Sequence, residues 1–534
     1  MVLKHSPVRW LVLVSMLLSS CTYLKYSSIQ AEYARIQNAS PSQMTLKHML
    51  DRDTFFVVGK TVDSLGKSQK EPMAVAAFSN KFSLNERVDT MYLNRSGTHF
   101  GLNLPAGEFQ LIVVRDTNHD GIFTSDEVIG EQSITLNLES HPQKIVSQVE
   151  IDLTQSKTHI SFDSFPVKDS EVEQPSLYFP NGAIRKLTDP IFDKNIATLG
   201  MYDPASFLEH APTTFFALEE DQVHKIPVIF VHGIDDSPRA FETIISQLDR
   251  NRYKPWFFYY PSGGDLNQLA ELFYNVFLSG KVISLSDMPL IVVAHSMGGL
   301  VVRESINQYL GDHYENKLKL FVSIASPLGG HPDAKSGVEN GLIVLPAWRD
   351  LDPSSQFIQN LYRRQLPTDL EHHLFYAYHN SDTLKLGENS DGVVPLSSQL
   401  HQIAQRQSNL QIGFKNNHTD ILESQVMIDQ LLETMSTITS IFPEDHMEML
   451  ENAGLDLALD DSYDPRTKHL LSYAGKYIAK LISGEIPTIH PHQDIFLEAV
   501  LGKRKPATTI EKDFVKLVAA YPHIFTVGPD SHDE

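Results

Sequence analysis

Five near-continuous apolar runs set the strongest limit on what this chain can fold into. They are "PVIFVHG", "PWFFYYP", "PLIVVAHS", "KLKLFVSIASP" and "HHLFYAYH", all between Pro227 and His379. None sustains a polar and apolar alternation along its whole length, so a strand made from any of them is expected to be buried on both faces. The second is followed by "LNQLAELFYNVFL" and the third by "GGLVVRESINQYL", both amphipathic at helical spacing. Buried strands joined by helices give a mostly parallel sheet with helices on both faces, which assigns residues 178–441 to the α/β class.

The flanking regions have other periods. From 53 to 163, "TFFVVGKTV", "MAVAAFS", "HFGLNL", "FQLIVVR" and "QVEIDL" are short, rich in β-branched and aromatic residues, and separated by turn formers. They predict a small all-β sandwich. A polar linker at 164–177 follows, and 442–534 reads as a helical C-terminal extension carrying "HLLSYAGKYIAKLI" and "EKDFVKLVAAY". A chain of 534 residues exceeds what one core fills, in keeping with several units.

The first twenty residues are expected to leave the mature protein. Lys4 and Arg9 precede the apolar stretch Trp10–Leu18, which is too short to span a bilayer, and "LSSC" places small residues before Cys21, the only cysteine. This resembles a bacterial lipoprotein signal, with Cys21 lipidated and residues 21–52 as a tether; an ordinary signal peptide with a chance cysteine is the alternative. Two acyl chains, at about 0.8 kcal/mol per buried CH2, hold a domain on a membrane where one is marginal. Thr22 in place of an aspartate implies the outer membrane of a bacterial envelope. Loss of Lys4 and Arg9 moves the formal charge from -22 to -24, which argues against a nucleic-acid partner.

Within the β-region, "DTNHDGIFTSDE" fits D-x-[DN]-x-[DN]-G-x5-E at each fixed place. Asp116, Asn118 and Asp120 would offer side-chain oxygens to Ca2+, Gly121 the sharp turn, Ile122 its carbonyl and Glu127 a closing carboxylate. A polar turn built of turn-forming residues accounts for the same letters. The expectation is a structural calcium remote from any chemistry, with no cofactor required elsewhere.

"AHSMG" lies between a buried strand and an amphipathic helix, so Ser296 sits where a nucleophile elbow is built, with small residues at Ala294 and Gly298. A helix cap is the bland reading. Chain order adds to the first reading. Asp391, in "NSDGVVP", follows "HHLFYAYH" 95 residues after Ser296, and His418, in "NNHTDIL", follows "NLQIGF" 27 residues later. Asp382 and Asp420 are the rival acids. His372, His373, His379 and His401 are placed differently relative to the strands and are expected in the core or at the surface. In "PVIFVHGID", the strand ending in His232 and Gly233 resembles a lipase-type oxyanion turn, which implies that Gly233 lets the backbone bend, that the Ile234 amide, with that of Met297, points into the site, and that His232 braces the loop.

These motifs, "IFVHGI", "AHSMGGLVVR", "SDGVVP" and "NHTDIL", resemble the α/β-hydrolases of the lipase and esterase branch, including inositol deacylases and bacterial triacylglycerol lipases, over residues 178–441. The resemblance implies a membrane-anchored serine hydrolase of lipid or other apolar acyl esters, with Ser296, His418 and Asp391 as the triad and Ile234 and Met297 as oxyanion donors. Ala294 stands where many members have glycine. An insertion at about 328–371 occupies the place of a lid; its Leu342, Ile343, Val344, Leu345 and Trp348 either line an acyl pocket or pack the lid to the body. Two other functions fit the same residues: an acyltransferase using the same triad, and a non-catalytic envelope-binding protein on a hydrolase scaffold.

Overall fold

The computed structural model describes residues 54–62, 71–79, 87–153, 161–168 and 176–525 apart from 284, 286, 312–314, 316, 342–343 and 381–388, and also Lys25, Tyr26, Ser28, Ile29, Ala31 and Arg35. Cys21, Leu342, Ile343 and Asp382 therefore lie outside the described residues.

The N-terminal strands are β1 (Thr54–Val62), β2 (Met73–Ser79), β3 (Arg87–Leu93), β4 (His99–Pro105), β5 (Gly107–Arg115), β6 (Ile122–Phe123), β7 (Val128–Leu136), β8 (Ile145–Asp152) and β9 (Phe165–Pro166). They form a sheet β4-β1-β8, a sheet β3-β2-β5-β7 and the short pair β6-β9. All pairings are antiparallel except β1 with β8. Period two explains how β1 serves two cores. Phe55 and Val57 join Val75, Leu111 and Val113 inside the sandwich, while Phe56 and Val58 face the other way into the main α/β core, where Phe56 meets Phe215 edge-on at 6.2 Å. The sandwich is thus seated on the α/β unit by a shared strand. Phe165 and Pro166, within the expected linker, pair with β6 and close the Asp116–Glu127 loop against the sandwich.

The α/β unit has seven strands in the order β10-β12-β11-β13-β14-β15-β16, namely β10 (Phe215–Ala217), β11 (Ile226–Val231), β12 (Tyr253–Phe258), β13 (Leu290–His295), β14 (Leu318–Ile324), β15 (Glu371–Ala377) and β16 (Leu410–Phe414). Only β10 runs antiparallel to its neighbour. Every residue of β11, β12 and β13 is buried, as their mostly apolar runs require, and the one lysine among them, Lys254 in β12, is ion-paired with Asp221. Two separate apolar clusters cover the two faces, one holding Ile229, Val292 and Phe321, the other Val228, Ile291 and Val293.

Tyr26, five residues beyond Cys21, stacks on Tyr202 at 5.4 Å in a small cluster with Leu345 and Trp348. Those two residues of the expected lid thus pack against the body, and Ala347 N–H donates to Gly263 O at 3.2 Å.

The extension has its own core around the helix Pro465–Ser483, with Leu471, Tyr477, Ile478, Phe514 and Leu517. The helices Glu444–Glu451 and Pro491–Val500 were not among the expected ones. Among the described residues no helix is long and apolar enough to cross a membrane.

Candidate active site

β13 ends at His295, and the chain turns through Ser296 into the helix Gly298–Tyr309. Ser296 has φ of 53°, a left-handed conformation that a non-glycine residue adopts at a cost of about 1–3 kcal/mol and that surrounding structure must hold. The holding contacts are specific. Ser296 N–H donates to Ile324 O on β14 at 2.9 Å. A Cβ on Gly298 would come within 2.6 Å of the carbonyl oxygens of Val231 and His232, and one on Gly233 within 2.8 Å of Ser296 Cβ. The turn after β11 therefore lies directly against the serine because both glycines are bare.

Ile234 follows Gly233 in that turn, and Met297 follows Ser296. Among the described residues neither N–H donates to an acceptor. His232 holds the turn. Its ring stacks on Tyr260 at 4.3 Å, Nδ1 pairs with Gly233 O at 2.7 Å, Nε2 accepts Tyr260 N–H, and Tyr260 Oη donates to His232 O at 2.7 Å. Burial pushes the His232 imidazole down to about 3, so it stays neutral and braces.

His418 and Asp391 arrive from the loops after β16 and β15. His418 Nε2 is 2.9 Å from Ser296 Oγ, and His418 Nδ1 is 2.7 Å from Asp391 Oδ2. The three side chains form one hydrogen-bonded chain, with Ser296 6%, His418 7% and Asp391 0% exposed. Asp391 is held by its own turn: Oδ1 accepts the amides of Val393 at 2.9 Å and Val394 at 2.6 Å, and Gly392 takes φ of 94°. His418 N–H donates to Asp391 O at 3.0 Å, and His418 O accepts from His295 Nε2 at 2.8 Å.

The rejected histidines are elsewhere. His372 bonds Ser323 Oγ, His373 bonds Glu371 and His401 stacks on Tyr362. His379 is exposed. Asp420 is exposed and paired with Asn417 Nδ2 at 2.6 Å. His331, in the "GGH" turn, reaches Val393 O at 2.6 Å and so supports the turn that holds Asp391 from the insertion side.

Gln399 was not anticipated. Its Nε2 donates to Asp391 Oδ2 at 3.0 Å and to the carbonyls of Ala377 and Val394, while its Oε1 accepts Ala377 N–H. It ties Asp391 to the end of β15. Gln399→Leu removes a hydrogen bond to a charged group, worth about 1.5–3 kcal/mol, so kcat is expected to fall roughly 10–100-fold with KM little changed. Steady-state kinetics on one ester checks this; an unchanged kcat contradicts the role.

Burial also pushes His295 and His372 down to about 3. Folded, these two and His232 stay neutral, whereas unfolded they take protons below about pH 6.5. Their contribution is whole above pH 6.5 and is lost as pH falls from 6.5 toward 3, about 2 kcal/mol per imidazole at pH 5. Melting temperature is expected to drop steeply between pH 7 and pH 5. A flat melting profile would contradict it.

Two places could hold a cation. In the Asp116–Glu127 loop, Asp116 Oδ2 accepts Gly121 N–H and Asp120 Oδ1 accepts Ile122 N–H. Asn118 Oδ1 accepts Asp120 N–H. Both Glu127 oxygens are occupied by the loop's own donors, Thr117 and Asn118 on one side and Thr124 on the other. The loop closes on itself, although Asp116 Oδ1 is buried without a partner. Among the described residues, the group of His and acidic side chains whose ligand atoms all lie within 4.8 Å of one another is Asp287, His490 and His492.

Residues 277–357 match the family described as lecithin:cholesterol acyltransferase. The match is local. It holds Ser296 and stops short of Asp391 and His418. Among solved structures, the lipase BlEst2 of Bacillus licheniformis in mature form is similar at 16% identity and TM-score 0.34, over 41% of this chain and 97% of that one. Aspergillus fumigatus lipase B is similar at 12% and 0.30, over 43% and 58%. The phospholipase PlaB of Legionella pneumophila is similar at 17% and 0.27, over 33% and 45%. No curated protein sequence matches the chain.

Proposed function

We propose that the chain is a serine hydrolase of the α/β-hydrolase type that cleaves carboxylic esters, lipid or other apolar acyl esters above all, through an acyl-enzyme on Ser296. The observation that carries this reading is the hydrogen-bonded run from Ser296 Oγ through His418 to Asp391 at a strained strand-to-helix turn. His418 Nε2 takes the Ser296 proton as Oγ attacks the ester carbonyl. Asp391 keeps the Nδ1–H tautomer and stabilises the imidazolium. The Ile234 and Met297 amides receive the oxyanion, each such donor being worth roughly 3–4 kcal/mol. Collapse expels the alcohol, which takes its proton from His418, and water activated by the same imidazole releases the acid.

A second reading is acyl transfer to an alcohol by the same triad, favoured by the acyltransferase match over 277–357. A panel of esters of graded acyl length, run with and without a lipid alcohol and beside Ser296→Ala, tests both. Free acid as the product, rising with chain length and lost in the variant, supports the hydrolase. Acylated alcohol in excess of free acid supports the transferase, and no turnover of any ester removes both.

We also infer that lipidated Cys21 holds the chain on a bacterial outer membrane, a reading that rests on Lys4, Arg9, the apolar Trp10–Leu18 stretch and "LSSC". Cys21→Ser should leave the protein soluble; a variant that stays in the membrane fraction contradicts it.

A further inference from the structure

The C-terminal extension meets the α/β unit at a side-chain cluster that the chemistry of Ser296 does not use. His490 caps the helix Pro491–Val500 in extended conformation, with φ of -146° and ψ of 139°, and Pro491 fixes the next φ. His492 lies in the helix's first turn, directly after that proline, and the rings of His490 and His492 stack with centroids 5.0 Å apart. Both face Asp287, in the loop ahead of β13. His490 Nε2 is 3.1 Å from Asp287 Oδ2, and one ligand atom from each residue lies within 4.8 Å of the other two.

We propose that Asp287, His490 and His492 bind one divalent transition-metal ion of the zinc class, which clamps the extension to the α/β unit. Zinc bonds to imidazole nitrogen and carboxylate oxygen are about 2.0–2.2 Å long, so tetrahedral ligand atoms stand roughly 3.4 Å apart, a spacing that the exposed Asp287 and His492 and the half-buried His490 reach by small rotations. Two imidazoles with one carboxylate select zinc, nickel or copper over calcium and magnesium, which take oxygen ligands. Solvent supplies the fourth ligand. An ion pair between His490 and Asp287 accounts for two members only; His492 adds a ring to the cluster while its side chain makes no hydrogen bond among the described residues. Lys317, 3.3 Å from Asp287, is itself held at 2.9 Å by Glu315, so the surroundings are not left net positive. Binding moves the His490 ring proton from Nε2 to Nδ1, and the Nδ1 acceptor that now caps His492 N–H at 3.2 Å is given up.

The site is remote from the ester chemistry. Asp287 precedes β13 and Ser296 follows it, at opposite ends of a six-residue strand that spans roughly 20 Å. The ion's role is therefore structural, and the proposal does not depend on the catalytic reading. The test is isothermal titration of the full chain, stripped with EDTA, with zinc chloride, for the parent, for His492→Ala and for Asp287→Asn. Because the chain has 23 histidines, the readout is the difference in stoichiometry. The expected result is one equivalent fewer in each variant, and zinc raising the melting temperature of the parent but of neither variant, with ester turnover unaffected. Equal stoichiometry in parent and variants, or a parent melting temperature that zinc leaves unchanged, overturns it.

Discussion

Ser296→Ala and His418→Ala are each expected to lower kcat by roughly 10⁵–10⁶-fold, and the double variant to be scarcely worse than either single one. The reason is geometric. Oγ and Nε2 are 2.9 Å apart and share one proton, so removing either leaves the other without a task. What survives is the oxyanion site and substrate binding, which alone give roughly 10³–10⁴-fold over water. Initial rates on one ester, with circular dichroism to confirm folding, decide it. Losses that add in free energy would mean that the two groups do not act as one unit.

Asp391→Asn is expected to cost about 10⁴-fold in kcat. The carboxylate accepts from two amides, one glutamine and the imidazole, all within 3.0 Å. An asparagine whose Oδ1 keeps the bonds to the Val393 and Val394 amides turns its NH2 toward His418 Nδ1. That ring nitrogen is then an acceptor, and Nε2 carries the hydrogen that should come from Ser296. Asp420→Asn, at an exposed carboxylate bonded to Asn417, should change kcat less than threefold, a small effect typical of a surface position. Asp382→Asn should likewise be mild. If Asp382→Asn were the damaging substitution and Asp391→Asn the mild one, the acid would be misassigned while Ser296 and His418 stood.

The parts of the fold that were legible are those in which local pattern and burial coincide. Near-continuous apolar runs become β11, β12 and β13, buried throughout, because only a strand covered on both sides tolerates such a sequence. Ser296 was legible because a serine between small residues, after one of those strands, has few places to go. Asp391 and His418 could be named from chain order, although only the folded distances bring them together.

What stayed hidden depends on long-range partners. Gln399 looks like any polar residue near a turn; its role exists only because a short helix returns its amide to Asp391 and Ala377. Phe56 and Val58 read as one half of a strand's alternation, and nothing local says that their face meets a second core. The pairing of Phe165 and Pro166 with β6 joins segments more than forty residues apart. The helix Pro491–Val500 was obscured by two histidines around a proline, residues that belong to its cap and first turn.

The most direct test of the central claim is labelling with a fluorophosphonate, which reacts only with an activated serine and needs no knowledge of the substrate. One phosphonyl group on Ser296, located by mass spectrometry of the digested full chain, absent from Ser296→Ala and formed far more slowly in His418→Ala, is the predicted result. A folded protein that refuses the probe, or that is labelled equally well after Ser296→Ala, would contradict it.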